Sequence, residues 1–220
     1  MPEHPPLAVK AWGEYACFTR PEMKVERVSY PVMTPSAARG LLEAIFWKPE
    51  ISWQIREIWV LNDIRHVSIL RNEVNHRATH TAARVWAKTG GGYFADDADN
   101  RAQRHTLALR DVAYIIKADI VLASHAITED VAKYRDQFRR RVNRGQCYHR
   151  PYFGCREFTA SFGPSDGSER PIDLTDDLGR MLFDLDYGSD SLGRGTPRFF
   201  LGRLEHGILC IPPELYRRGK

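Results

Sequence analysis

The sequence predicts an α+β protein in which a ferredoxin-like (RRM-like) βαββαβ domain precedes a small antiparallel β domain. Two patterns predict this fold class. Strand-like and helix-like segments follow one another in the order strand, helix, strand, strand, strand, helix, strand. An acidic, turn-rich stretch then separates them from a group of short strand-like runs. We therefore expect one domain over residues 1–165 and a second over residues 166–220.

The first half of the predicted ferredoxin-like domain contains one strand, one helix and two further strands. Residues 7–18 show the alternation of a strand. Thr34 and Pro35 are typical of a helix start, because a threonine cap is followed by proline at the first helical position. Two strand-like runs follow at residues 55–62 and 66–74.

The second half of this domain is expected to begin with an inserted loop at residues 75–105, where periodicity is weak and three glycines are consecutive. Residues 106–124 are rich in strand-forming residues, with a bend expected near Asp111 that divides them into two segments. A last strand is expected at residues 151–162. The second domain should contain short strands at residues 181–187, 198–204 and 207–212.

The helix between these strands is strongly basic. It is predicted to begin at a Thr128 cap and to stop at Gly145, with Val131, Phe138, Val142 and either Tyr134 or Arg135 facing inward. Residues 129–156 contain eight Lys or Arg and three Asp or Glu, whereas the whole chain has a net charge of only +4. A solvated surface is one explanation, but this clustering favours a polyanionic partner. The candidate RNA-binding residues are Arg139, Arg140, Arg141, Arg144, Tyr148 and Arg150.

Other classes of protein and of site lack their sequence signatures. The sequence has no apolar run long enough for a membrane span and no export signal, so we expect no membrane partner and a cytoplasmic protein. Cys147, His149 and Cys155 do not have the spacing of a standard zinc site, and we expect no metal or other cofactor. The glycine runs at 89–93 and 192–197 are weak candidates for phosphate cradles.

Cleavage of RNA does not require a metal-binding motif. The 2′-hydroxyl can attack the adjacent phosphate when a base, an acid and a cation are placed around it. Lysine, tyrosine and histidine side chains are sufficient for these roles. The sequence shows no pair of carboxylates in a plausible metal-binding arrangement, so it does not support a two-metal nuclease.

Four stretches of the sequence together resemble a known family: EAIFWKP (43–49), RNEV (71–74), QRHTLALRDVAYII (103–116) and KYRDQFRRRVNRGQCYHRPYFGCREF (133–158). They are similar to the subtype I-C CRISPR-associated proteins of the "Cas five" family, the d (or c) branch of the RAMP superfamily. The resemblance implies a ferredoxin-like domain with a small C-terminal β domain. It also implies metal-independent cleavage of the CRISPR repeat hairpin, leaving a cyclic phosphate, and retention of the 5′ handle of the guide RNA. The implied partners are repeat or guide RNA, other type I-C Cascade subunits and, for some members, double-stranded DNA.

The resemblance also implies a catalytic tyrosine, lysine and histidine. The place of the tyrosine holds Phe46, and the adjacent lysine and histidine align with Lys133 and Tyr134. Lys133 is then expected to orient or neutralise the scissile phosphate, while Tyr134 or His149 carries a proton. Phe46 cannot exchange a proton and is expected to pack in the core. Because two of the three positions differ, a non-catalytic RNA-binding scaffold subunit of Cascade is the alternative. A ferredoxin-like RNA-binding or metabolic domain unrelated to CRISPR is a third hypothesis.

Overall fold

The computed structural model describes residues 4–98, 100–187 and 195–217. The helices within these residues are α1 (Pro35–Ile45), α2 (His80–Thr89) and α3 (Val131–Asn143). The strands within them are β1 (Leu7–Ala16), β2 (Arg27–Val28), β3 (Ile51–Val60), β4 (Arg65–Val74), β5 (Arg101–Leu122), β6 (Ser161–Gly163), β7 (Asp176–Asp186), β8 (Thr196–Glu205) and β9 (Ile208–Cys210). Short 3₁₀ turns lie at Ser124–Ala126 and Pro213–Tyr216.

The strands form one sheet with the order β6-β1-β5-β3-β9-β8-β7, and β2 and β4 pair with further parts of β5. The pairings are antiparallel except for that between β2 and β5. The fold is therefore mixed α/β with a largely antiparallel sheet and few helices. The three predicted C-terminal strands are present as β7, β8 and β9. Because β9 pairs with β3, they extend the same sheet, and the domain boundary at 165/166 stays a prediction.

α1 forms as its sequence predicts. The Thr34 hydroxyl accepts a hydrogen bond from the Ala37 backbone N–H at 3.3 Å, and Pro35 occupies the first turn. The buried face of α1 packs against β3, and α3 packs against β5. The Phe138 ring of α3 meets Trp53 of β3 with their ring centroids 4.7 Å apart. Both helices therefore cover the core that the sheet provides.

Residues 75–105 do not form a loop throughout, so that prediction is partly wrong. α2 occupies His80–Thr89, where the Thr79 hydroxyl caps the helix by accepting from the Ala82 N–H at 3.1 Å. β5 already begins at Arg101, because it pairs with β4 there. None of the residues of α2 is buried, and its apolar face, formed by Ala82, Val85 and Trp86, spans little more than one turn, which is too short to predict a helix by periodicity.

β5 is one strand of 22 residues rather than the two segments expected. Asp111 does have a positive φ of 53°, and the pair it would form with Glu14 is missing from the ladder with β1, although the register is the same on both sides. The expected bend is thus a local irregularity at the predicted place. The strand continues because β4 pairs with its first half and β3 with its second half.

The strand predicted at residues 151–162 is wrong except for Ser161 and Phe162, which begin β6. This segment is a compact turn closed by hydrogen bonds from the Phe153 N–H to the Phe158 carbonyl at 2.8 Å and from the Ala160 N–H to the Pro151 carbonyl at 3.0 Å. Gly154 has a φ of +79°, which an extended strand does not contain. The apolar side chains of this segment suggested a strand, but they are buried from within a turn. Only β6 follows as a short strand.

In the part of the chain that the structure describes, no helix combines the length and apolar character needed to cross a membrane.

Candidate nucleic-acid interface

α3 carries the basic cluster. Its N-terminal end differs from the predicted one, whereas its C-terminal end agrees with it. The helix begins at Val131, and the Asp130 carboxylate accepts from the Ala132 N–H at 2.8 Å. Thr128 is therefore not the cap, because the 3₁₀ turn at 124–126 extends the preceding connection. The helix ends at Asn143, and Gly145 follows with a φ of +63°, as predicted.

Tyr134 and Arg135 both face inward, which resolves the alternative between them. The Arg135 guanidinium donates to the Pro5 carbonyl at 2.6 Å. Burial, and then the charge of Arg139, lower the pKa of Arg135, while Asp119 acts in the opposite direction. Arg135 thus holds the N-terminal segment against α3 and is not available at the outer surface.

The cations predicted to contact RNA largely remain at the surface. Arg140, Arg144 and Arg150 are exposed, and within the described residues no carboxylate pairs with them. Arg139 pairs with Asp136 at 3.0 Å, an exposed contact of low energy. Residues 139–150 contain five arginines and no acidic residue. The surface after Phe138 therefore offers concentrated positive charge to a polyanion.

Arg141 differs from its neighbours because it is partly buried against the end of α1. Its Nη1 donates to the Ile45 carbonyl at 2.8 Å, and its guanidinium carbon lies 5.3 Å from the centroid of the Phe46 ring. The backbone N–H groups of Tyr148 and His149 donate to the Ala44 carbonyl at 2.8 and 3.3 Å. These bonds satisfy carbonyls that the end of a helix leaves free. They fix the segment after α3 onto the C-terminus of α1.

We expect Arg141→Ala to lower the free energy of unfolding by about 1–3 kcal/mol, because it removes a charged donor from a partly buried carbonyl. Arg140→Ala is the matched control, since its exposed side chain should change stability by less than about 0.5 kcal/mol. Arg140→Ala should instead reduce the salt dependence of oligonucleotide affinity by about one unit of log–log slope. Chemical denaturation and binding at several salt concentrations measure the two effects. Equal loss of stability in both variants would contradict the assignment of Arg141.

Lys133 lies near the start of α3 and is exposed. Its Nζ donates to the Glu129 carboxylate and lies 4.8 Å from the centroid of the Tyr134 ring. The hydrogen bond to Glu129, more than any other contact, raises the pKa of Lys133. Lys133 therefore stays cationic throughout the neutral range, which suits it to neutralise a phosphate rather than to accept a proton.

The remaining predicted catalytic residues occupy very different environments. Tyr134 is buried beside Lys133, whereas His149 is exposed and has its ring 6.0 Å from that of Tyr148. Within the described residues, no hydrogen bond, ion pair or ring contact joins Lys133 to His149. Phe46 is fully buried in the core, as expected. The structure thus brings Lys133 together with Tyr134, and His149 together with Tyr148.

Cys147, His149 and Cys155, which lie close together in the sequence, do not form a metal site in the structure. Among the described residues, no group of three or more His, Cys, Asp and Glu side chains could hold a metal ion. Cys147 is exposed, whereas Cys155 is buried beside Cys17. The neighbouring Cys17 thiol, and then the charge of Arg27, whose Nη1 lies 3.3 Å from the Cys155 sulfur, lower the pKa of Cys155, while burial acts in the opposite direction.

The first glycine run lies at the end of α2, where Gly91 has a φ of +114° and a Cβ added to it would lie 2.9 Å from the Trp86 ring. Most of the run at 192–197 lies outside the described residues.

Trp47 is a surface residue that the sequence analysis did not single out. Its side chain is 57% exposed, directly after the buried Phe46. Its exposure could have been predicted from the sequence. Residues in an extended conformation alternate between the two sides of the chain, so a buried Phe46 implies an exposed Trp47.

The chain is similar to CRISPR-associated proteins along almost its whole length. A family model described as "CRISPR-associated protein (Cas_Cas5)" matches residues 7–204. A Thermus thermophilus protein named "CRISPR pre-crRNA endoribonuclease Cas5d" is 50% identical, and the alignment covers 96% of this chain and 93% of that protein. A Mannheimia succiniciproducens protein of the same name is 43% identical, with coverages of 94% and 95%.

Two solved structures are similar in fold. One is described as the crystal structure of a CRISPR-associated protein, with a TM-score of 0.68, 19% identity and coverage of 96% of this chain and 93% of that one. The other is a functionally uncharacterized protein, SMU1763c from Streptococcus mutans, with a TM-score of 0.67, 19% identity and coverages of 96% and 94%. At this identity the likeness shows the fold alone.

Proposed function

Because the chain belongs to the Cas5d family of CRISPR-associated proteins, we propose that it is an endoribonuclease that cuts CRISPR repeat precursor RNA into guide RNA. The observation that carries this proposal is the 50% and 43% identity, over nearly the full length, to two proteins named for that activity. The arginines at residues 139–150, with no acidic residue among them, supply a surface that suits RNA. After cleavage the protein would hold the 5′ handle of the guide RNA beside other type I-C Cascade subunits.

The ferredoxin-like topology of the N-terminal part belongs to the same proposal. The strand order β6-β1-β5-β3 supports it, because the fourth, first, third and second strands of a βαββαβ unit would lie in this order. The contact between α1 and α3 agrees with two helices on one face of such a sheet.

The proposed reaction is attack by a 2′-hydroxyl on the adjacent phosphorus. The new O–P bond forms as the bond to the departing 5′-oxygen breaks, so the products carry a 2′,3′-cyclic phosphate and a 5′-hydroxyl. The hydroxyl proton passes to a base, and an acid returns a proton to the leaving oxygen. Charge on the non-bridging oxygens grows during this step, and a fixed cation lowers its energy.

Lys133 is proposed to supply that cation, because a lysine ammonium is charged at neutral pH and the Lys133 side chain is exposed in the first turn of α3. His149 is proposed to carry a proton, since its imidazole is exposed among the arginines that follow α3; Lys133 lies at the other end of α3, so the bound RNA would have to reach both residues. Tyr134 is the other candidate of the implied set. Its burial favours a role in positioning Lys133, with which its ring is in contact.

The test is cleavage of the repeat hairpin from the protein's own CRISPR array by purified protein in EDTA. We expect cleavage to persist without metal ions and to yield a 2′,3′-cyclic phosphate. A repeat with a 2′-deoxy nucleotide at the cut position is the matched control and should stay intact, because its nucleophile is missing. Cleavage that stops in EDTA and returns with Mg²⁺ would instead indicate a metal-dependent nuclease and contradict the mechanism.

The alternative is a non-catalytic scaffold that binds the guide RNA in Cascade. The burial of Phe46 and Tyr134, at two of the three positions of the implied catalytic set, favours it. Tight binding of the repeat hairpin without product over a long incubation would support this function and exclude nuclease activity of the isolated chain. Binding of double-stranded DNA is a separate proposal, tested by competition between a DNA duplex and the repeat hairpin.

A further inference from the structure

Two large aromatic side chains are exposed at the C-terminal end of α1. Trp47 is 57% exposed and Tyr148 is 82% exposed. Neither belongs to the implied tyrosine, lysine and histidine set. Both present flat apolar surface to water, which is unfavourable unless a partner covers it.

The backbone beneath both rings is held firmly. Phe46 ends α1 with an extended backbone, its ring is buried, and its carbonyl accepts from the Trp53 Nε1–H at 3.0 Å. Trp47 is therefore directed outward from a fixed position. The Tyr148 N–H is bonded to the Ala44 carbonyl at 2.8 Å, three residues before Trp47. Both rings thus start from the same helix end, and little backbone freedom remains to be lost when they bind a ligand.

The charge around this helix end suits a nucleic acid. Arg144 and Arg150 flank Tyr148 on either side, Lys48 follows Trp47, and all three are exposed. Among the described residues, no carboxylate forms an ion pair with any of these three. Exposed aromatic rings within a cationic surface are the features by which proteins bind single strands, since every base has a face that can stack.

We infer that Trp47 and Tyr148 form a stacking platform for two unpaired nucleotides that flank the double-stranded stem of the RNA. The inference rests on the proposed function and adds the part of the substrate that is recognised. Bases inside an A-form stem already stack on one another and expose no free face, so the platform selects unpaired nucleotides. Trp47 and Tyr148 bind and position the RNA, and take no part in proton transfer.

The first test uses a ten-nucleotide single-stranded RNA that contains 2-aminopurine, a base whose fluorescence falls when it stacks. Wild-type protein should quench it, and Trp47→Ala and Tyr148→Ala should each raise the dissociation constant roughly 5- to 150-fold. Trp47→Phe keeps an aromatic face and should recover most of the affinity. Trp12→Ala is the matched control, because Trp12 is also an exposed tryptophan, 42% exposed, but lies on β1. It should bind as the wild type does.

The second test separates this inference from the proposed nuclease. On a repeat hairpin with single-stranded flanks, Trp47→Ala should raise KM and leave kcat nearly unchanged, whereas on a blunt hairpin it should match wild type. Cleavage by wild type together with unchanged oligonucleotide affinity in Trp47→Ala and Tyr148→Ala would overturn the platform and leave the nuclease in place. A third outcome is that the wild type quenches the fluorescence, both variants lose the quenching, and the wild type does not cut RNA. This result would support the platform and overturn the nuclease. Equal losses in Trp12→Ala would also overturn the platform.

Discussion

Lys133→Ala is expected to slow cleavage of repeat RNA by about 100-fold or more while changing RNA affinity by less than about threefold. Removal of a single group that stabilises developing charge in an active site typically costs this much rate. Binding should change little, because the substitution leaves unaltered the exposed arginines of residues 139–150, which are proposed to contact the backbone of the RNA. Single-turnover cleavage at saturating protein, measured beside equilibrium binding, separates the two quantities.

The ion pair between Lys133 and Glu129 provides the control for this prediction. Glu129→Gln removes the partner and keeps the lysine, so cleavage should be retained. Lys133→Arg keeps the charge and should recover part of the lost rate, less than fully because the guanidinium has another shape. Equal losses of rate and affinity in Lys133→Ala would make Lys133 a binding residue, and an unchanged rate would remove it from the site.

Gly154→Ala is expected to lower the free energy of unfolding by about 3–5 kcal/mol, near the upper end of single-residue effects. A Cβ at this position would lie 2.0 Å from the Cys17 carbonyl oxygen, and Gly154 has a φ of +79°. Neither the backbone of Cys17 nor the turn can move freely, since the Cys17 N–H is bonded to the Phe153 carbonyl at 3.0 Å. In a chain of 220 residues this loss should reduce Tm by roughly 10 °C.

Gly167→Ala isolates the steric part of that effect. Gly167 has a φ of +80°, almost the same as Gly154, but no atom lies within 4 Å of the added Cβ. It should therefore cost only about 1–2 kcal/mol, the cost of a left-handed backbone for an L-residue. Thermal melts of both variants give the comparison. Similar Tm values would mean that the turn at Gly154 relaxes at little cost.

The sequence predicted the elements whose signals are local. The cap at Thr34, the helix stop at Gly145 and the inward spacing of α3 depend on residues a few positions apart, and the structure confirms them. The segment at 151–162 failed because its shape depends on the approach of Cys17, far away in the sequence. α2 was missed because its apolar face, formed by Ala82, Val85 and Trp86, spans little more than one turn.

The same distinction applies to the candidate site. A dense run of arginines is visible in a sequence, so the basic surface could be predicted. The sequence could not predict which arginines form contacts within the fold. Arg135 binds the Pro5 carbonyl and Arg141 binds the Ile45 carbonyl only in the folded chain. The exposure of Trp47 likewise depends on the folded chain, in which the Trp53 Nε1–H donates a hydrogen bond to the Phe46 carbonyl.

The central position of β5 also determines when the sheet can assemble during protein synthesis. β1 pairs with residues 109–118, so about 90 residues must be made after β1 before its partner exists. At typical translation rates this takes roughly 5–20 s. β3 also pairs with β5, so it has no partner before that strand is made, and β9 joins β3 only after about 85 further residues. On the ribosome, the sheet therefore grows outward from the middle of the chain, and its N-terminal strands remain unpaired until then.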